Sequence, residues 1–166
     1  WRYAVRRLER EGARIDLVRE EEAAAAVSEL ERLHSMRWEA EGKLGVLADE
    51  LAVRHLRLAV PELARAGILR MHRLHWDGEA IAILLAMRGA RSTCYYLSGF
   101  DPKWARLSPG TALVGSAIAR AASEGCTEFD FLRGQEEYKF GWGASERPRF
   151  RRVINMPVRV MPAVCA

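Results

Sequence analysis

The chain has 166 residues, of which 49% are hydrophobic and 29% charged, and its net charge is +4. This length suits one domain with a hydrophobic core, and the composition excludes a disordered or fibrous protein. The small positive surplus is spread along the chain, so it does not by itself predict nucleic-acid binding, and it is compatible with an anionic small molecule as ligand.

The cysteine and histidine patterns indicate neither a disulfide scaffold nor a metal site. The three cysteines, Cys94, Cys126 and Cys165, share no CxxC spacing, so we expect a reducing compartment, the cytoplasm. His72 and His75 fall on opposite faces of one predicted strand, which prevents them from binding one metal ion together. We therefore expect no metal.

The apolar segments carry no membrane signal. The longest apolar run, residues 80–87, is too short to cross a bilayer, and no signal-peptide pattern opens the sequence. The chain begins at Trp1 rather than at Met, so we expect it to be part of a longer protein.

The first part of the chain predicts a helix, a strand and a second helix. Residues 1–12 are typical of a short helix, and residues 13–18 alternate as a strand does. An acidic run at 20–22 begins an amphipathic helix that continues to about Trp38.

A third helix follows a glycine-containing loop. Its apolar positions include Leu47, Leu51 and Leu58, which we expect to face the core. His55 lies at helical spacing from them and is expected to pack in the core as well. Proline lacks the amide hydrogen that a helix interior needs, so we expect this helix to end at Pro61.

The middle of the chain predicts an antiparallel meander. Residues 68–76 and 79–87 flank Asp77-Gly78, a strong signal for a tight hairpin. Residues 80–86 are apolar without alternation, which indicates a central strand covered on both faces. A short turn leads to a third strand at 92–98.

A strand–helix–strand unit comes next. Ser108-Pro109-Gly110 is typical of a helix start, with serine as N-cap and proline in the first turn. Gly125 stands where a left-handed residue ends such a helix, and residues 127–132 form the second strand. One helix joining two strands predicts a parallel, right-handed βαβ unit.

The start of this helix is a candidate anion site. The residues Ser108, Gly110 and Thr111 present unpaired N–H groups at the positive end of the helix dipole. Gly110 has no Cβ, so a pyrophosphate has room to approach the backbone. An ordinary capped helix explains the same pattern.

The stretch FDFLRGQEEYKFGWG (129–143), with YLSGFDP and LSPG before it, resembles a known family. It is similar to the GNAT-type acyltransferases of the CelD/BcsL-like group, which are related in fold to the FemABX aminoacyl transferases. The resemblance rests on Asp130, Arg133-Gly134 and Tyr138-Lys139 behind the capped helix. It extends from Trp38 to about Pro157, but only Gly110 represents the glycine-rich phosphate loop usual in GNAT proteins.

The resemblance implies an α/β fold, a GNAT-like mixed sheet in which an antiparallel meander and a parallel βαβ unit are flanked by helices. It also implies that residues 1–166 form one such domain at the C-terminal end of a longer chain. The expected activity is transfer of an acyl group from acetyl-CoA, or another acyl-CoA, to a small-molecule amine. An amino sugar of envelope polysaccharide synthesis is the acceptor we consider first.

The resemblance also implies where substrates bind. The arm of the acyl carrier would lie between residues 95–98 and 129–132, with its phosphates at Ser108 to Thr111. The acceptor would meet Trp38, Tyr96 and Arg133, since arginine suits an anionic group of a substrate. Simple packing explains Trp38 equally well.

Three residues are candidates for catalysis, and each has a structural alternative. Asp130 would orient or deprotonate the amine, or else pair with Arg133 or cap a helix near Gln135. Tyr138 would protonate the leaving thiolate, and Lys139 would stabilise the oxyanion or a phosphate. In the alternative, a small amphipathic helix packs Tyr138 and leaves Lys139 in solvent.

Two other functions remain open. Aminoacyl transfer from charged tRNA, as in the FemABX proteins, would need a coherent basic surface, whereas the arginines here are scattered. A non-catalytic GNAT-like binding module is the other alternative. The arginines of 147–152 in a final extended segment would touch phosphates or protect a sheet edge.

Overall fold

The structure, a computed structural model, describes residues 1–148, which divide after Gly134 into two compact units. The final segment expected through Val160 lies, from residue 149 on, outside the described residues. The first unit contains, in chain order, α1 (Arg2–Arg10), β1 (Arg14–Leu17), α2 (Ala23–Ala40), α3 (Glu50–Arg65), β2 (Leu69–Trp76), β3 (Glu79–Arg88), β4 (Ser92–Phe100), α4 (Pro109–Ser123) and β5 (Glu128–Asp130). The second unit contains α5 (Glu137–Gly141).

The strands of the first unit form one sheet in the order β1-β2-β3-β4-β5. The first four strands pair antiparallel, and β4 pairs parallel with β5. This is the mixed sheet with a meander and a parallel pair that the sequence predicts. The central strand is β3, and all residues from Ala80 to Ala86 are buried, which confirms that both of its faces are covered.

The turn between β2 and β3 is the predicted tight hairpin. Asp77 and Gly78 have φ values of 48° and 80°, as a two-residue turn with both central residues left-handed requires. The turn places β2 beside β3 and so fixes the register of the meander.

Helices cover both faces of the sheet. Leu30 of α2 and Val60 of α3 pack in one cluster with Ile83 and Leu85 of β3, so we call this side the α2 face. The alternate residues of β3 point the other way. His72, which pairs with Leu84, lies there among the charges of α4, and we call this side the α4 face.

Pro61 lies inside α3, so the prediction that the helix ends there is wrong. A proline costs a helix one hydrogen bond. Here Val60 is fully buried and Leu63 and Ala64 pack against the core, so tertiary packing outweighs that loss.

The prediction that Leu51 and Leu58 of α3 face the core is also wrong. Leu51 and Leu58 are 73% and 67% exposed, whereas Leu56 and Val60 are buried. His55 is exposed as well. The sheet contacts one narrow stripe of α3, and the leucine spacing on the far side mimics the same helical period.

The end of α2 approaches β4 closely at Gly99. A Cβ placed on Gly99 would lie 2.2 Å from the backbone nitrogen of His34 and 2.4 Å from the backbone carbon of Leu33. Only a residue without a side chain permits this approach, which brings the last turns of α2 against the end of β4.

Gly99→Ala is therefore expected to lower the free energy of unfolding by about 1–3 kcal/mol, because the clashing atoms are backbone and can move only with α2. Urea denaturation measures it. The matched control is Gly110→Ala, since a Cβ there meets nothing within 4 Å among the described residues, and we expect a change within about 0.5 kcal/mol. Equal stabilities for the two variants would contradict this packing.

Candidate active site

The central feature of the site is that β4 separates from β5. Only Ser92–Cys94 of β4 pairs with Glu128–Asp130 of β5, while β4 continues through Phe100 along β3. Within residues 1–148, no strand pairs with the other edge of residues 95–100. We call the space along this open edge, between residues 95–100 and residues 131–134 of the same unit, the β4–β5 cleft.

A β-bulge accompanies the separation. Tyr95 pairs with Ala86 and Leu97 with Leu85, so Tyr96 is an extra residue on β4. A bulge bends its strand and increases the local twist. Tyr96, predicted to contact substrate, is 40% exposed at this bend.

The bulge also sets the directions of the side chains along β4. Tyr95 and Leu97 pair with neighbouring residues of β3, whose side chains point to opposite faces, so their own side chains also point to opposite faces. Ser98 follows Leu97 and therefore shares the α4 face with Tyr95. Their hydroxyl groups form a hydrogen bond of 2.6 Å. The Tyr95 ring lies 6.2 Å from Phe131, and Phe131 lies 5.2 Å from Phe129, as expected for alternate residues on one face.

Asp130 ends β5 and shapes the turn after it. Its Oδ1 accepts a hydrogen bond of 2.7 Å from the N–H of Leu132, whose φ of 59° is left-handed. Gly134 has a φ of 106°, a backbone conformation that a glycine adopts without steric cost. The exposed Arg133 lies between these two positions of positive φ. Asp130 thus has a structural role whether or not it also meets substrate.

The start of α4 has the geometry of an anion site. Ser108 is its N-cap residue but is left-handed, with φ 55°, and its side chain caps no N–H group of residues 1–148. The expected side-chain cap is thus wrong, because a left-handed serine directs its hydroxyl away from the first turn. The N–H groups of Gly110 and Thr111 precede the first intrahelical donor, and Gly110 has open space where a Cβ would lie.

Trp38 lies at the end of α2 and belongs to a small polar cluster. Its indole N–H donates to Nε2 of His34 at 2.9 Å, and His34 is only 2% exposed. The neighbouring Arg37 contacts Ser98 and the Phe100 ring. Trp38 thus packs against His34, and it also lies next to Arg37, whose guanidinium reaches β4.

The second unit contains Tyr138 and Lys139. Lys139 is 6% exposed, and its Nζ lies 2.7 Å from Oε2 of Glu136. A hydrogen bond from Lys139 holds the pKa of Glu136 below its ordinary value. Tyr138 is 44% exposed. The alternative with a packed tyrosine and a solvated lysine is therefore wrong, and the buried member is the cation.

Four residues near the cleft were not singled out from the sequence: His34, Arg37, Tyr95 and Ser98. Arg37 precedes Trp38 on α2 and follows His34 by three residues, so all three share the end of one helix. The signal that connects them to β4 is Gly99, a glycine within an aromatic strand, which marks a close approach of another backbone.

A family model described as an acetyltransferase (GNAT) domain matches residues 1–140. The chain belongs to the GNAT family. As a member of it, the protein is a GNAT-type acyltransferase, with the mixed sheet of that fold. No curated protein matches the sequence at a significant level.

Solved GNAT structures superpose on most of the chain. The aminoglycoside acetyltransferase AAC(6')-Iy, in complex with the bisubstrate analog CoA-S-monomethyl-acetylneamine, is 14% identical with a TM-score of 0.60, over 87% of this chain and 98% of that one. A soil metagenomic aminoglycoside acetyltransferase in complex with sisomicin is 16% identical with a TM-score of 0.59, over 86% and 97%. AAC(6')-Ih from Acinetobacter baumannii is 17% identical with a TM-score of 0.56, over 86% and 99%.

Membrane-spanning helices and clusters of metal ligands are both absent from the described residues. No helix in residues 1–148 is long and apolar enough to cross a membrane. Within the same residues, no three side chains of the histidine, cysteine, aspartate and glutamate types lie together as a metal site would require.

The buried histidines make stability depend on pH. Burial, with Arg37 nearby, lowers the pKa of His34 to about 4, and burial, with Arg120 nearby, lowers that of His72 to about 4. Between about pH 6.5 and 4 the unfolded chain binds these protons and the folded chain does not. The free energy of unfolding should therefore decrease as the pH is lowered through this range, by up to about 1.4 kcal/mol per pH unit for each histidine.

Urea denaturation between pH 7 and pH 4.5 measures this slope, which His34→Gln should reduce. The matched control is His55→Gln, since His55 is exposed. A hydrogen bond from Arg19 lowers the pKa of Glu22 to about 2, so this carboxylate keeps its charge throughout the window. Stability that stays constant from pH 7 to 4.5 would show that the imidazoles are accessible in the folded state.

Proposed function

We propose that the protein transfers an acetyl group from acetyl-CoA to a primary amine of a small acceptor, with the reaction in the β4–β5 cleft. The observation that carries the proposal is the cleft itself: an open edge of β4 follows the short pairing with β5 in a chain of the GNAT family. An unpaired strand edge offers backbone hydrogen bonds to an extended ligand.

The start of α4 fits the phosphates of such a carrier. Its first N–H groups and its dipole favour negative charge, and Gly110 leaves room for a phosphate against the backbone. The helix has 15 residues and is about 22 Å long, whereas the three residues of β5 extend about 10 Å. Asp130 is therefore offset by roughly 10 Å from the start of α4 along the sheet, a distance that an extended carrier arm would bridge.

Acetyl transfer needs a neutral amine as nucleophile and a site that stabilises negative charge at two atoms, the carbonyl oxygen and the thiolate sulfur. The amine nitrogen forms a bond to the carbonyl carbon while the carbon–sulfur bond breaks, and one proton passes from nitrogen to the thiolate. Negative charge develops first on the carbonyl oxygen and then on sulfur, so the site needs donors at both places.

The candidate residues have roles that follow from their chemistry. We propose that Asp130 orients the amine and accepts its proton, because a carboxylate near the end of β5 borders the cleft. We propose that Tyr138 gives a proton to the thiolate and that Lys139 stabilises negative charge. Lys139 is buried beside Glu136, where its charge acts in a medium of lower dielectric constant than water. Arg133, Trp38 and Tyr96 remain proposed contacts of the acceptor.

The acceptor class follows from the resemblance to the CelD/BcsL-like group. We propose an amino sugar of envelope polysaccharide synthesis, acetylated in the cytoplasm. Two of the structural neighbours named above were solved with aminoglycoside-type ligands, which contain amino sugars as well. Aminoacyl transfer from tRNA and a purely binding role are the outcomes that the experiment below separates from acetyl transfer.

Saturating acetyl-CoA is expected to raise the melting temperature, because a ligand that binds only the folded state stabilises it by about 2.7 kcal/mol at a hundredfold excess over its Kd. The same preparation should release free thiol from acetyl-CoA when glucosamine is added. Stabilisation by charged tRNA but not by acetyl-CoA would contradict acetyl transfer and favour the aminoacyl alternative. If acetyl-CoA binds but no amine is acetylated, the result would contradict acetyl transfer and favour the non-catalytic binding module.

Two variants locate the chemistry. Gly110→Val should weaken acetyl-CoA binding, because its side chain occupies the space proposed for a phosphate. Asp130→Asn keeps an oxygen for the Leu132 N–H and should retain the melting temperature while it lowers kcat by about 100-fold or more, as expected for loss of a general base. Unchanged turnover in Asp130→Asn would restrict Asp130 to its structural role.

A further inference from the structure

Arg37 reaches from the α2 face to side chains of the α4 face. Its Nη1 lies 3.4 Å from Oγ of Ser98, and its guanidinium carbon lies 5.4 Å from the centre of the Phe100 ring. Gly99, between these two residues, faces α2, since a Cβ there would lie 2.2 Å from the nitrogen of His34. Side chains alternate along a strand, so Ser98 and Phe100 face α4.

This path places the guanidinium in the β4–β5 cleft. One edge of β4 is paired with β3 from Thr93 to Phe100, so a side chain cannot cross there. The other edge is the one that β5 leaves after Cys94. Arg37 therefore reaches the α4 face at Ser98 and Phe100, past the edge that β5 leaves open.

Aromatic rings fix the orientation of the guanidinium. Its carbon lies 5.6 Å from the Trp38 ring and 5.4 Å from the Phe100 ring. The oxygen that it contacts, Ser98 Oγ, is itself held by the Tyr95 hydroxyl at 2.6 Å. The Arg37 side chain is thus already ordered before any ligand binds. A ligand therefore does not have to offset the loss of its conformational entropy, and this preorganisation increases affinity.

Protein atoms use little of the hydrogen-bonding capacity of Arg37. Its nearest carboxylate oxygen in residues 1–148, Oε1 of Glu41, lies 3.7 Å from Nε, and this Nε is buried without a hydrogen-bond partner there. By contrast, Arg70 and Arg73 have carboxylate oxygens at 2.8 and 3.2 Å. Arginine has five donors, and burying donors without partners costs free energy, so a ligand acceptor group would complete this site.

The charges around Arg37 leave a positive surplus. Nζ of Lys43 lies 3.7 Å from the second oxygen of Glu41 and 6.0 Å from the Trp38 ring. Two cations thus share one carboxylate at the end of α2. An anionic group can balance the remaining charge without displacing any contact.

We propose that Arg37 binds a carboxylate or a phosphate on the amine acceptor, so that the acceptor class is an amine that also carries an acid group. The planar fork of an arginine matches two oxygens of either anion. The proposal rests on the proposed function, because it assigns the acceptor to the same cleft. It also separates this protein from the two neighbours solved with an acetylneamine conjugate of CoA and with sisomicin, since neamine and sisomicin have several amines and no acid group.

The test compares three amines with acetyl-CoA as donor: glucosamine, glucosamine 6-phosphate and muramic acid, which adds a carboxylate to the same sugar. For the wild type, kcat/KM should be about ten- to hundredfold higher for at least one of the two acids than for glucosamine. Arg37→Gln should remove this preference through a higher acceptor KM and leave the KM of acetyl-CoA unchanged. Arg37→Lys should restore part of it, because it keeps the charge without the fork.

Arg54→Gln on α3 is the matched control, since it removes the same charge from an exposed arginine and should leave the preference intact. The inference is overturned if glucosamine is acetylated as well as both acids, while the proposed function then stands. It is also overturned if Arg37→Gln changes the KM of acetyl-CoA instead. If acetyl-CoA neither binds nor reacts, both proposals fall. If Arg37→Gln does not fold, Arg37→Lys and the wild-type preference decide.

Discussion

The separation of β4 from β5 is the constraint on which the rest of the structure depends. Parallel pairing lasts for Ser92–Cys94 only, and the bulge at Tyr96 then bends β4 while β3 keeps its other edge paired. In most sheets an interior strand has both edges satisfied. Here one edge of residues 95–100 has no strand partner within residues 1–148, and the strand keeps its position because its partner β3 is buried along its whole centre.

The end of α2 depends on the same strand from the opposite face. Gly99 lets the helix backbone approach β4 closely, and this contact brings Arg37 and Trp38 to the open edge. A side chain at Gly99 would move both away from the cleft. The close packing therefore does more than stabilise the fold, because it sets the distance between a cation and the strand along which the substrates are proposed to meet.

The sequence predicted the sheet well because its signals are local. The hairpin at Asp77-Gly78 and the uninterrupted apolar run of β3 each depend on a few neighbouring residues, and both are confirmed. The position where α4 starts is confirmed as well, whereas its expected serine side-chain cap is wrong. The predictions of the C-terminal end of α3 and of its buried face were wrong, because tertiary packing decided between two apolar stripes and overrode the proline. Gly99 indicates that another backbone approaches β4, but the shared face of Tyr95 and Ser98 could not be predicted, because it depends on the bulge at Tyr96.

Amide hydrogen exchange, followed by NMR, tests the central claim most directly. If the open edge of β4 receives the acyl carrier, the amides of residues 95–98 that point away from β3 should exchange rapidly in the free protein and slow down on saturation with acetyl-CoA. Amides of β3 should stay protected in both states. Protection of residues 95–98 as strong as that of β3 in the free protein, or exchange that acetyl-CoA does not change, would contradict the account.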